Sequence, residues 1–184
     1  MKKILLLTLS LVSLLSVSCK DDKKAGEDNA ANAAPVKPNF FVEVDANAAK
    51  KDDFAVYFTE DGTNNFNGQN TVWHGINAGK TETVVFDLPE PVIPTNIRLD
   101  FGLNKEQDSV TVSRVKFSFL NNNLEIKGSQ FFDYFIKDEQ FKATTDPAKG
   151  TLTIVKNGPE YKTPYYYPRQ ELIDKIKEMT IGKK

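Results

Sequence analysis

Apolar residues recur at every second position through most of the chain, and this alternation constrains the fold more than any other feature. Ile97, Leu99 and Phe101, for example, alternate with Arg98 and Asp100. Successive side chains of a strand point to opposite faces, so the pattern is typical of a strand with one buried face. Comparable runs, most of them bounded by turn residues, cover 54–59, 83–88, 110–120, 124–126 and 152–154.

The run 110–120 changes phase partway along. Val110 and Val112 share one parity, whereas the apolar residues of 115–119 take the other. One extra residue near Ser113-Arg114, a β-bulge, keeps both sets on the same face.

Six or more short strands separated by turns predict an all-β fold, an antiparallel β-sandwich of jelly-roll-like form, over residues 50–184. The 13 Phe residues supply bulk for a core between two sheets. Residues 131–136 are either a single helical turn or an aromatic-rich loop. A short C-terminal helix is predicted behind Pro168 by four residues at helical spacing: Leu172, Ile173, Ile176 and Met179.

The N-terminus carries a targeting pattern. Lys2 and Lys3 precede the mostly apolar run 4–15, which is too short to span a bilayer, and 16–18 holds small residues ahead of Cys19. The pattern resembles a bacterial lipobox, although Ser16 stands where leucine is commoner, and it implies a signal peptide of residues 1–18 and acylation of Cys19, palmitate included.

An ordinary signal peptide cut at the same bond is the alternative, and it leaves a free or intermolecular thiol. Cys19 is the only cysteine in the chain, and lipidation accounts for a lone thiol at a mature N-terminus.

Residues 19–49 are rich in Ala, Asn, Lys, Asp and Pro and are predicted to be a flexible tether. Within them, 40–44 alternates, and is either the first strand or a segment docked on the domain edge. Lys20-Asp21-Asp22 resembles the Lys-Asp/Glu-Asp/Glu export signal of Bacteroidetes-type surface lipoproteins. That resemblance implies a lipid-anchored protein on the outer face of the outer membrane. A plain mixed-charge tether on the periplasmic face is the alternative.

The net charge of the chain limits the classes of molecule that it is expected to bind. Removing residues 1–18 takes away Lys2 and Lys3 and no acid, which moves the formal net charge from −1 to −3. This mild acidity argues against nucleic acid as a partner. The membrane, through the lipid, is the expected partner, together with a polysaccharide or an envelope protein.

Three stretches, 84–89, 97–102 and 110–119, resemble the jelly-roll, carbohydrate-binding-like modules found beside bacterial surface glycan enzymes. The resemblance implies a β-sandwich and points to a glycan ligand. The matching positions are mainly core positions, so they indicate the fold more strongly than the ligand.

A glycan site is predicted where the Asn-rich loop 64–70 runs into the only Trp and the only His of the chain. Aromatic faces suit the apolar patches of sugars, and amides both donate to and accept from hydroxyls. The expected ligand-binding residues here are Asn67, Asn70, Trp73 and His74. The alternative is ordinary turn chemistry, with Trp73 in the core.

A second binding segment is predicted at Tyr165 and Tyr166, in an aromatic run bracketed by Pro164 and Pro168. Tyrosine offers contact area at low entropic cost, which suits a binding rim. The alternative is an extended segment packed onto the sandwich.

Acidic residues near the two ends of one strand suggest a structural calcium site. Asp52, Asp53 and Asp61, with Glu60 beside them, are the expected ligands. No spaced calcium-loop motif is present, and solvated acids are the alternative.

Catalytic patterns are not found. His74 has no second His, there is no G-x-S-x-G, and Arg98 with Asp100 predicts a surface ion pair. We therefore expect no enzyme activity. The preferred hypothesis is a noncatalytic envelope lipoprotein that binds a glycan or related ligand at the cell surface. The alternative is a structural or protein-interaction subunit of an outer-membrane assembly.

Overall fold

The computed structural model describes residues 39–138, 142–146, 151–155 and 162–181. The predicted signal peptide, Cys19 and Lys20–Asp22 lie outside these ranges. The strands are β1 (Phe40–Ala48), β2 (Asp52–Thr59), β3 (Thr71–Ile76), β4 (Thr81–Asp87), β5 (Asn96–Phe101), β6 (Val110–Phe119), β7 (Asn122–Lys127), β8 (Phe135–Lys137), β9 (Lys142–Asp146), β10 (Thr151–Val155) and β11 (Tyr165–Pro168). The helices are a 3-10 turn (Gly128–Gln130), α1 (Phe131–Tyr134) and α2 (Gln170–Ile181).

The strands form two antiparallel sheets. Sheet A has the order β4-β1-β6-β10-β9, with β7 also paired to β6, and sheet B has the order β3-β2-β5-β11-β8. Buried side chains from both sheets make one hydrophobic cluster, in which Phe54, Phe86 and Phe117 are each at most 1% exposed. The predicted antiparallel sandwich with a C-terminal helix is thereby confirmed.

The sandwich begins earlier than the predicted boundary at residue 50. Strand β1 lies inside sheet A, between β4 and β6, so 40–48 belongs to the domain rather than to the tether. Phe40, Val42 and Val44 fill the core because alternate residues of β1 point inward. Of the two interpretations of 40–44, the first strand is the right one.

The phase break in β6 is a β-bulge, as predicted. Asp45 pairs with Arg114 and Ala46 pairs with Val112, so Ser113 is the extra residue. The apolar residues on both sides of the bulge are buried.

Two helical pieces close one part of the core. Phe131 of α1 stacks on Phe135 at 4.6 Å and meets Tyr166 edge-on at 5.0 Å. Helix α2 buries Leu172, Ile176 and Met179 as its predicted stripe, with Ile173 half-buried. Pro168 ends β11 instead of opening the helix. Within the described residues, no helix is long and apolar enough to cross a membrane.

Candidate functional site

The outer faces of the two sheets differ in chemistry. On sheet A the outward residues form a charged network around Arg114, whose Nε lies 2.6 Å from an Asp45 carboxylate oxygen. Glu43 and Glu125 approach the same guanidinium at 3.4 and 3.5 Å, and Lys116 bonds Glu43. Such a face is suited to water.

The outer face of sheet B is aromatic. We call it the aromatic face and define it by Tyr57, Phe66, Trp73, Arg98, Tyr165 and Tyr167. The alternation of side chains along each strand explains why most of these residues point outward. Phe54 and Val56 enter the core, which turns Ala55 and Tyr57 outward. The remaining member, Phe66, comes from the loop between β2 and β3 and folds over the sheet.

Strand pairing brings distant segments of the chain together on this face. Trp73 pairs with Ala55, Ala55 pairs with Asp100, and Asp100 pairs with Tyr165. This row crosses four strands. Trp73 and Tyr165 are therefore about 14 Å apart at three strand spacings.

Arg98 lies among the rings. Its guanidinium carbon is 4.0 Å from the ring centroid of Tyr57 and 4.9 Å from that of Tyr165. The rings of Phe66 and Tyr167 lie at 5.5 and 6.0 Å. These are cation–π distances, so the aromatic side chains and the guanidinium hold one another in place.

Asp100, two residues along the same strand, holds the Arg98 guanidinium in place. Arg98 donates from Nε and from Nη2 to the two carboxylate oxygens of Asp100, both at 2.8 Å. The side chains are only 15% and 5% exposed, so the predicted ion pair exists but is nearly buried. Burial raises the pKa of Asp100 above its ordinary value, against the lowering effect of Arg98.

Several polar groups of this face remain available to a ligand. Trp73 is 45% exposed and meets Tyr57 edge-on at 6.3 Å. Within the described residues, the indole N–H, the Tyr57 and Tyr167 hydroxyls and Arg98 Nη1 make no hydrogen bond. The Tyr165 hydroxyl differs because it bonds to Asp138. Trp73 is thus exposed on the sheet and is not the core residue that the alternative interpretation required.

The predicted Asn-rich loop contributes to the aromatic face through a residue other than the asparagines that were expected to bind the ligand. Asn67 accepts the Gln69 N–H at 2.9 Å through Oδ1, which is turn chemistry. Asn70 accepts the Phe58 N–H through its carbonyl, and its side chain makes no hydrogen bond within the described residues. The loop reaches the aromatic face through Phe66, which the sequence prediction omitted.

Two predicted ligand-binding residues point away from the face. His74 follows Trp73 on one strand and therefore lies on the opposite side, where its ring approaches Phe86 at 6.2 Å. Tyr166 lies between the outward Tyr165 and Tyr167 and is fully buried in the core. Burial raises the pKa of the Tyr166 hydroxyl. Tyr167, not Tyr166, is the partner of Tyr165 on the aromatic face.

The predicted calcium ligands do not converge. Asp52 is the first residue of the eight-residue β2, and Asp61 lies in the turn two positions after its last residue, so a strand of roughly 23 Å separates them. The buried Asp52 carboxylate accepts from the Leu103 and Asn104 N–H groups at 2.7 and 2.9 Å. It also accepts the Asp53 N–H and the Gln107 amide. Within the described ranges, no three acidic, His or Cys residues cluster as metal ligands.

Asp52 instead organises a turn. Gly102 has a positive φ of 99°, and a Cβ at this position would overlap the Asp52 carboxylate. Only glycine combines this backbone conformation with so close an approach. The Asp61 carboxylate stabilises the turn in which it lies, because it accepts the Thr63 N–H at 3.0 Å and the Thr63 hydroxyl at 2.8 Å.

The described residues therefore define an antiparallel β-sandwich with an aromatic, arginine-centred outer face on one sheet. No protein-family model matches the chain, and no curated protein or solved structure matches it significantly.

Proposed function

We propose that this chain is a noncatalytic lipoprotein of the bacterial envelope that binds a glycan through the aromatic face of sheet B. The exposed indole of Trp73, lying against Tyr57 on an ordered strand, is the observation that carries the proposal. It rests in addition on the polar groups near this indole that make no hydrogen bond within the described part of the chain.

The chemistry of the face suits a sugar. Pyranose rings have apolar C–H faces that stack on aromatic rings, and their hydroxyls need donors and acceptors at the edge of that contact. Trp73 and Tyr167 offer ring surface, and the hydroxyls of Tyr57 and Tyr167 offer both donor and acceptor capacity. These groups lie on strands, Arg98 holds Tyr57 and Tyr167, and Tyr57 contacts Trp73, so little ordering is required on binding.

The envelope location is supported by the sequence alone. A lipid on Cys19 anchors the chain, and Lys20-Asp21-Asp22 directs it to the outer face of the outer membrane. An aromatic face at the cell surface would meet polysaccharide before any intracellular ligand.

A docking module of an outer-membrane assembly is the second candidate, and Ile136 is the observation that favours it. This residue pairs with Tyr167, is 46% exposed, and extends the aromatic face onto the short edge strand β8. The guanidinium and the hydroxyls interrupt the apolar surface, and this mixture of ring faces with donors and acceptors matches the C–H faces and hydroxyls of a sugar.

A glycan array tests the proposal. The chain carrying Cys19→Ala, which prevents acylation, is applied together with its Tyr167→Ala and Val85→Ala derivatives. Val85 is the control because it is an exposed apolar residue on the outer face of sheet A, away from the aromatic face. We expect the parent and the Val85 variant to bind the same glycans and the Tyr167 variant to lose them. Binding to no glycan would favour the docking module.

A further inference from the structure

The aromatic face has few charged residues, and their arrangement bears on which class of glycan it can bind. Along the outward positions of the five strands of sheet B there are three charged residues: Asp53, Arg98 and Asp100. The single cation is already neutralised by a bidentate bond to Asp100. Asp53 is exposed beside Gly75, and Asp138 bonds to the Tyr165 hydroxyl. At the outward strand positions that the structure describes, the face therefore has no uncompensated positive charge with which to receive an anion.

An acidic sugar would be disfavoured at this face. Its carboxylate or sulfate would have to compete with Asp100 for the guanidinium, and separating a nearly buried ion pair leaves Asp100 without its partner. The same anion would also lie near the negative charges of Asp53 and Asp138.

Arg98 still has one amino group to offer. Nη1 makes no hydrogen bond within the described residues, and the guanidinium carbon to which it is attached lies 4.0, 4.9 and 6.0 Å from the ring centroids of Tyr57, Tyr165 and Tyr167. A guanidinium whose charge is compensated donates to a neutral hydroxyl or carbonyl oxygen without attracting an anion.

We infer that the aromatic face selects a neutral glycan chain, laid across the strands from Trp73 to Tyr165 with Arg98 Nη1 donating to it midway. This inference rests on the proposed function and adds the class of ligand to it. Asp100 acts as a positioning residue, because it directs the guanidinium and cancels its charge.

Affinity electrophoresis with matched polymers tests the inference. Hydroxyethyl cellulose and carboxymethyl cellulose form one matched pair, and methyl-esterified and de-esterified polygalacturonan form a second. The chain carrying Cys19→Ala should be retarded by a neutral member about tenfold more strongly than by its acidic counterpart. Stronger retardation by the acidic member would overturn the inference while leaving glycan binding intact. Retardation by none of the four polymers, together with an empty glycan array, would instead remove the proposed function and this inference with it.

Two variants sharpen the test. Asp100→Asn removes the compensating negative charge with little change of shape. It should therefore raise retention by the acidic polymer about tenfold, so that the neutral and acidic polymers retard this variant about equally. Asp45→Asn is the matched control, since it weakens a comparable arginine pair on sheet A, and it should leave the preference unchanged. A preference unaltered by Asp100→Asn in a folded variant would contradict the role of Asp100.

Salt provides a measurement that does not depend on the folding of Asp100→Asn. Binding of a neutral chain should hold from low to high NaCl, because screening weakens only charge-driven association. Loss of wild-type retention with salt would overturn the inference.

Discussion

The guanidinium carbon of Arg98 lies 4.0 Å from the ring centroid of Tyr57, and Asp100 holds the same guanidinium with two hydrogen bonds of 2.8 Å. Tyr57 in turn meets the exposed Trp73 edge-on. An ordered chain of contacts thus runs from a nearly buried ion pair to the surface. The aromatic face is organised before any ligand arrives.

The Tyr57–Arg98 contact should contribute measurably to stability. Replacing Tyr57 with Leu removes the cation–π interaction and should lower the free energy of unfolding by about 1 kcal/mol. Tyr57→Phe keeps a ring over the guanidinium and should stay close to the wild type. Urea denaturation measures both variants, and equal losses for Phe and Leu would show that the ring face is not what stabilises the pair.

Asp52 should prove structural. Asp52→Ala removes the acceptor of three backbone N–H groups and one amide, and should cost about 3 kcal/mol. Asp53→Ala, at the exposed neighbouring position, should change stability by less than about 0.5 kcal/mol. Thermal melts measure both variants. A melting temperature that rises with calcium and falls with EDTA would restore the calcium hypothesis for this strand.

Asp45 should stabilise the fold in a pH-dependent way. Its hydrogen bond with Arg114 lowers the pKa of Asp45 below the ordinary 3.8, so the ionised form is favoured by folding. This stability is present above pH 3.8 and is lost as the pH falls through the lowered pKa of the folded state. Asp45→Asn should therefore be less stable at neutral pH and should lose less stability than the wild type as the pH falls below 3.8.

Urea denaturation at a series of pH values measures this difference, with Asp53→Asn as the control for removing one negative charge. Parallel acid profiles for wild type and Asp45→Asn would rule out the assigned role of the Arg114 bond.

The lipid anchor is tested by fractionation. Cys19→Ala should move the chain from the membrane fraction to the soluble fraction, because acyl chains on Cys19 are the only proposed attachment. Cys19→Ser is a second variant that should behave identically. A variant that stays with the membrane at high salt would contradict lipidation.

Surface display has its own test. Replacing Lys20, Asp21 and Asp22 with Ala should protect the domain from protease added to intact cells. Unchanged cleavage would mean that these residues do not direct export.

Alternation in the sequence predicted the sheets because it reports directly which side chains are buried. The bulge at Ser113 was predictable for the same reason, since Val112 and Val115 must both reach the core. Strand β3 carried no such signal. It is an edge strand with few buried residues. Without knowing that it is a strand, one could not recognise that the side chains of Trp73 and His74 point to opposite faces.

The candidate site was predictable only in part. Trp73 and Tyr165 stood out by residue type, and the two-residue spacing of Tyr165 and Tyr167 was available as a signal that they share a face. The contact of Phe66 with Tyr167 depends on β5 and β11 being neighbours in sheet B, which is information about strand order. Burial of Arg98 likewise comes from rings on other strands.

Trp73→Ala, examined for stability and for glycan retention in the same preparation, tests the central claim most directly. Because Trp73 is exposed, its truncation should move the melting temperature by less than about 2 °C. Retention by neutral polysaccharide should be lost. Phe101→Ala, a core truncation expected to cost about 3–5 kcal/mol, calibrates the melt. A stable Trp73→Ala chain that is still retained as strongly as the wild type would contradict glycan binding at the aromatic face.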